Sequence, residues 1–192
     1  AYGFWAGTDT VGNNNAAYGT NAGRNVTGNG NSAFGQEAGR GVMGDGNLAL
    51  GQNAGLEVTG DANLAQGKSA GQHVTGSNNM ATGAYAGYGV KGDGNAASGL
   101  AAGRDVVGDN NVAQGTAAGS GVRGSDNVSI GSNANRGMSA DRSVAVGAAA
   151  TAATGSVAAS SAPAISRRAI VRGTRRLATR RLNVHLRWLR RP

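Results

Sequence analysis

A sixteen-residue phrase recurs along this chain without insertion, and that step limits the possible folds more than any other feature. Residues 13–28 read "NNNAAYGTNAGRNVTG"; the next two blocks read "NGNSAFGQEAGRGVMG" and "DGNLALGQNAGLEVTG". A glycine closes a short apolar phrase at Gly19, Gly35, Gly51, Gly67, Gly83, Gly99, Gly115, Gly131 and Gly147. An Ala-Gly pair follows, as at Ala22-Gly23 and Ala38-Gly39, and a valine three residues later, as at Val26 and Val42. Asparagine recurs from Asn15 and Asn31 through Asn111 and Asn127. A fixed period of this kind marks an array of one supersecondary unit, each copy burying its face on its neighbours.

Sixteen residues are too few for a helical-hairpin repeat and suit two short strands with two turns. The phrase x-Ala-x predicts a first strand, as in Ala16-Ala17-Tyr18 and Val144-Ala145-Val146. A second strand is expected around the valine, as in Asn25-Val26-Thr27. The 35 glycines and the asparagines supply the backbone angles of tight turns. Collagen is excluded because glycine does not recur every third residue, and a disordered linker would not hold register over nine copies. The fold expected is all-β, a parallel β-roll of sixteen-residue rungs stacked about 4.8 Å apart.

Alternation along the first strand places its middle alanine inside the roll, against the valine column. Its neighbours then face outward, and many are apolar: Leu48, Leu50, Leu64, Val112, Val128, Ile130, Val144 and Val146. A repeated apolar stripe along a rod predicts a partner rod. Strict alternation would put Arg24 beside Val26 inside the roll, so position 24 is expected in a turn. The asparagine column has two structural readings: amides bonded up and down a ladder, or residues tolerating a left-handed turn.

The phrases "NVSIG" at 127–131 and "SVAVG" at 143–147, with the "NxAxGxxAGxxVxG" rungs, resemble the head repeats of trimeric autotransporter adhesins of the YadA-like type. The resemblance covers residues 1–158 and implies a left-handed parallel β-roll assembled as a homotrimer. It further implies display on a bacterial outer membrane and attachment to host cells or extracellular matrix. The outward apolar stripe is where it would put the trimer axis. The opening "AYGFWAG" matches "AYGTNAG" at 17–23, so the chain is expected to begin within a repeat. No signal peptide and no apolar run long enough to span a membrane is found.

The pattern stops after residue 158, and no neck, stalk or membrane barrel follows. Ten of the 18 basic residues lie at or beyond Arg167, where no acidic residue occurs. The preceding residues hold eight basic side chains against all ten acidic ones, a net charge of −2. The repeats therefore carry no phosphate-binding footprint, despite the +8 of the whole chain. The tail, 159–192, reads as an out-of-frame run, as a disordered basic arm, or as a surface helix built on Leu182, Leu186 and Leu189.

Chemistry-bearing groups are sparse. There is no cysteine, and only His73 and His185 among histidines. No Ser/His/Asp set can be assembled, so neither catalysis nor a cofactor is expected. Asp45 and Asp61, like Asp93 and Asp109, fall one rung apart and raise the question of a calcium pair; aspartate serving a turn is the expected role. Thr27, Thr59 and Thr75 share a register with Met43, Lys91, Val107 and Arg123, too broken a row for ice binding. A polysaccharide-cleaving groove would need a set of acids that the repeats do not display, and a passive spacer is the other structural alternative. Binding is therefore assigned to the variable turn slots, with Trp5, Arg24, Arg40, Tyr85, Tyr88 and Arg104 as candidate anchors.

Overall fold

The computed structural model describes residues 1–159, and every strand in it pairs in parallel. The first nine strands are β1 (Ala16–Tyr18), β2 (Ser32–Phe34), β3 (Leu48–Leu50), β4 (Leu64–Gln66), β5 (Met80–Thr82), β6 (Ala96–Ser98), β7 (Val112–Gln114), β8 (Val128–Ile130) and β9 (Val144–Val146). Together with β10 (Val157–Ala159) they form one ten-stranded sheet in sequence order. Each strand meets the next at a step of sixteen residues, as in Ala33↔Ala49 and Ala49↔Ala65. The last step is thirteen, with Val144 opposite Val157. The protein is thus a parallel β-solenoid. The readings of the basic tail concern residues that, apart from Ala159, lie outside the described ones.

The first strand falls where the x-Ala-x phrase predicts it. The second does not form as a strand. Residue 25 still belongs to the turn, and the pairing contracts to single bridges one residue past each valine, such as Thr27↔Met43 and Thr59↔Thr75. The cause is the backbone at the preceding residue. Asn25, Glu57 and His73 all have φ between 53° and 56°, a left-handed conformation that ends the turn immediately before the valine. Arg24 lies in that turn, as its charge requires.

The core is thin and layered. Ala17, Ala33, Ala49, Ala65, Ala81, Ala97 and Ala113 are buried inside the roll, but their packing partner is the alanine of the Ala-Gly pair, not the valine. The valines form a separate buried stack from Val26 to Val122. The glycine after Ala22 explains the division: a Cβ on Gly23 would lie 2.9 Å from the Ala17 side chain. Backbone therefore approaches the alanine column directly, and the valines stand beyond it. Between the two stacks runs a narrow cavity of about 140 Å³ lined by Ala17, Gly23, Val26, Asn31 and their equivalents.

The phrase-closing glycines have a harder requirement. Gly35 has φ 129°, and a Cβ there would meet the Gly51 carbonyl oxygen at 2.7 Å. No side chain fits at that bend.

The asparagine column resolves as a ladder and not as a left-handed turn. Asn47 donates from its backbone N–H to Asn31 Oδ1 at 2.9 Å and from Nδ2 to the same oxygen at 3.1 Å. Its Nδ2 also donates to the Gly60 carbonyl at 2.9 Å. The arrangement repeats at Asn63, Asn79, Asn95, Asn111 and Asn127. The buried amides of this column are thereby satisfied, which burial of a polar column demands.

Candidate functional site

Two surfaces come out of this geometry: the outward face of the sheet and a row of turns. On the sheet, the inward alanine of each strand leaves its two neighbours facing out, by the period-two rule. Leu48, Leu50, Leu64, Val128 and Val144 are half-buried, and Val112, Ile130 and Val146 are exposed. All eight stand where alternation placed them.

Register extends this stripe beyond those eight. The first strand position reads Leu48, Leu64, Met80, Ala96, Val112, Val128, Val144 and Val157 on consecutive rungs, apolar throughout. Met80 and Val157, at 48% and 76% exposed, were not among the expected interface residues. A step of sixteen from Leu64 reaches Met80. The shortened thirteen-residue step hid Val157. The third strand position differs: Leu50 gives way to Gln66, Thr82, Ser98 and Gln114 before Ile130 and Val146 return. Toward the N-terminus that column is aromatic, with the Tyr18 and Phe34 rings stacked 5.1 Å apart and nearly parallel. Sequence reading passed over this pair because each ring, taken alone, is an ordinary variable residue.

The six turn candidates occupy two neighbouring columns, but they do not form one ridge. Trp5, Arg24 and Arg40 make a first group. The Arg24 guanidinium lies 5.3 Å from the centre of the Trp5 ring, and Phe4 stacks on the other aromatic at 4.7 Å. Arg40 pairs with Glu37 at 2.8 Å. Tyr85, Tyr88 and Arg104 make a second group, with Arg104 placed 5.3 Å from the Tyr88 ring centre and bonded to Asp105 at 3.2 Å. His73 meets the Tyr88 ring edge-on at 5.3 Å and pairs with Glu57 at 3.0 Å.

Between the groups the same two columns hold Ser69 and Gln72, both buried, and Gln72 Nε2 donates to the Asn53 carbonyl at 2.9 Å. The variable turn slots to which binding was assigned are therefore not all exposed. The side chain at position 72 folds inward to reach a free carbonyl, and this divides the row. Within the first group, Asn21 Oδ1 and Arg24 Nε are buried without a hydrogen-bond partner.

The aspartate column is structural in its contacts. Asp61 Oδ1 accepts from the Asp45 backbone N–H at 2.7 Å, and Asp109 Oδ1 accepts from that of Asp93 at 2.8 Å. Ser77 and Ser125 take the same place through their hydroxyl oxygens. Each side chain caps an amide of the rung before it, so its work crosses rungs and is not confined to its own turn. Among the described residues no three His, Asp or Glu side chains gather to hold a metal ion, and no helix is long and apolar enough to cross a membrane.

Comparison of the chain with protein-family models, with curated proteins and with solved structures finds no match.

Proposed function

We propose that this chain is the head segment of a bacterial surface adhesin. Three copies lie side by side along the outward apolar stripe, and the turn residues contact host cells or extracellular matrix. The observation that carries the reading is the stripe itself. Eight consecutive apolar side chains, on rungs about 4.8 Å apart, leave an apolar surface that a lone rod in water would not favour. Each large side chain brought fully under a partner contributes about 1.5–3 kcal/mol. The aromatic and arginine groups at the turns supply the residue types that anchor interfaces. Three weak copies on one rod would also raise apparent affinity without a deep pocket. The reading requires neither catalysis nor a cofactor, and it places the protein outside the outer membrane.

Assembly is tested by native mass spectrometry and light scattering. A trimer is expected, and Val128→Arg should dissociate or unfold it by bringing three charges together. A stable folded monomer from the unmutated chain overturns the assembly. Adhesion is tested with the trimer on an array of matrix proteins and glycans. Binding is expected to fall when Trp5, Arg24, Arg40, Tyr85, Tyr88 and Arg104 are replaced by alanine. Binding that survives all six replacements removes the turns as the site, and no binding at all favours a passive spacer.

A further inference from the structure

The acceptor tripeptide of asparagine-linked glycosylation, Asn-x-Ser/Thr, occurs twice in the 192 residues, as Asn25-Val26-Thr27 and Asn127-Val128-Ser129. The fold places the two copies in opposite environments. Asn127 is 1% exposed; its Nδ2 donates to Asn111 Oδ1 at 2.9 Å and to the Ala140 carbonyl at 2.7 Å. Ser129 faces the interior at 2% exposure. The nucleophilic atom and the hydroxyl of that copy are both committed to the core. Asn25 and Thr27 are both exposed, and neither side chain makes a hydrogen bond among the described residues. Asn25 sits at the left-handed end of a turn with φ 56°. Gly41 follows it in the same column and brings no side chain alongside.

We infer that Asn25 is a surface acceptor for an N-linked sugar and that Asn127 is not. The transfer forms a bond from Asn25 Nδ2 to the anomeric carbon of a diphosphate-activated sugar. The bond from that carbon to the diphosphate oxygen breaks, the diphosphate leaves with the electron pair, and one amide proton passes to a base of the transferring enzyme. Asn25 stands next to Arg24 in the row of turns assigned above to host contact; the inference itself rests on the tripeptide and its exposure, and not on that reading.

Repetition makes the inference sharper than a single motif would. Glu57-Val58-Thr59 occupies the same columns two rungs on, with Glu57 exposed at φ 56° and Thr59 exposed. Glu57→Asn therefore installs the tripeptide in equivalent geometry, at the loss of one exposed contact to His73.

The test uses an asparagine glycosyltransferase that labels both peptides, one spanning residue 25 and one spanning residue 127, when they are free in solution. The folded full chain is incubated with this enzyme and UDP-glucose, and the products are read by intact mass and peptide mapping. One hexose on Asn25 is expected, none on Asn127, none after Asn25→Gln, and two in the Glu57→Asn variant. A folded chain that takes no sugar at Asn25, or that takes it equally at Asn127, overturns the inference. Absence of sugar on Asn127 in the Asn25→Gln variant would show that the variant is still folded, since the free peptide around residue 127 is labelled.

Discussion

The regular rungs and the last turns of the roll are built from the same columns filled differently. From Gly19 to Asn127 the interior positions barely change. One rung later all four key positions change together: Asn135 stands where Gly119 stood, Met138 for Val122, Ala140 for Gly124 and Ser143 for Asn127, and all four are buried. The amide ladder ends there. Ser143 donates its hydroxyl to Asn127 Oδ1 at 2.6 Å but has no amide to continue the chain. Asn135 keeps the left-handed backbone of the glycine it replaces, at φ 50°, and its Oδ1 accepts from the Ala152 N–H at 3.0 Å. That bond draws in the shortened thirteen-residue turn that leads to β10. Outer columns drift freely because each rung bonds to the next through backbone. Four inner columns change within one rung, while the alanine columns continue through Ala134, Ala145 and Ala150.

The largest expected effect sets one glycine of each region against the other. Gly67 has φ 127°, and a Cβ there would lie 2.8 Å from the Gly83 backbone; Gly137 has φ 65° with open space around it. Gly67→Ala is expected to cost at least about 3 kcal/mol through strain and backbone clash, and Gly137→Ala about 1 kcal/mol. Urea midpoints of the two variants measure the difference. Equal costs would break the distinction between the phrase-closing glycines, a column that persists into the last turns at Gly131, and the open turn glycines such as Gly30, Gly46 and Gly137.

The amide ladder comes next. Asn79→Ala removes the acceptor for both Asn95 donors and the donor to the Gly92 carbonyl, all in the interior. Buried groups left unpaired should cost about 3 kcal/mol in total. Ser143→Ala at the ladder's end leaves Asn127 Oδ1 still bonded to the residue 143 N–H at 3.1 Å and should cost about 1 kcal/mol. Hydrogen exchange would sharpen the result, because Asn79→Ala should expose amides on neighbouring rungs first, as stability in a repeat array is local.

The smallest effect belongs to the outer aspartates. Asp93→Ala removes one exposed bond, from the Ser77 N–H to Asp93 Oδ1 at 2.7 Å, and should cost about 0.5–1 kcal/mol. Calcium should leave the melting temperature of the chain and of this variant unchanged. A saturable rise that disappears in Asp45→Ala and Asp61→Ala would make the column an ion site.

Much of the array can be read directly from its letters. The period sets the rung, the x-Ala-x phrase sets the strand, and alternation puts Ala49 inward with Leu48 and Leu50 outward. These follow because a step of sixteen and a step of two are both countable. The aspartate and asparagine columns were equally legible as registers, and the amide ladder was one of two readings of the asparagines; which oxygen meets which amide was not legible, since a register does not say so.

What only the tertiary structure decided lies where backbone angle and side-chain identity part company. Trp5, Glu37, Tyr85, Ala101 and Ala117 all adopt φ between 52° and 58°, although none is a residue type that announces a left-handed turn. Their conformation is imposed by cross-rung bonds such as Glu37 N–H to the Thr20 carbonyl at 2.9 Å and Tyr85 N–H to the Lys68 carbonyl at 2.9 Å. A bond of the same kind, Asn25 N–H to the Thr8 carbonyl at 2.9 Å, accompanies the end of the turn at residue 25 and the contraction of the expected second strand to a bridge; Gln72 is held by its side-chain bond to the Asn53 carbonyl. The sequence by itself determined the period, the inward columns and the outward stripe, because hydrophobicity and side-chain size act residue by residue. The turn shape, the division of the candidate ridge and the thirteen-residue closing step depend on hydrogen bonds between residues about one rung apart, and those exist only once the rungs are stacked.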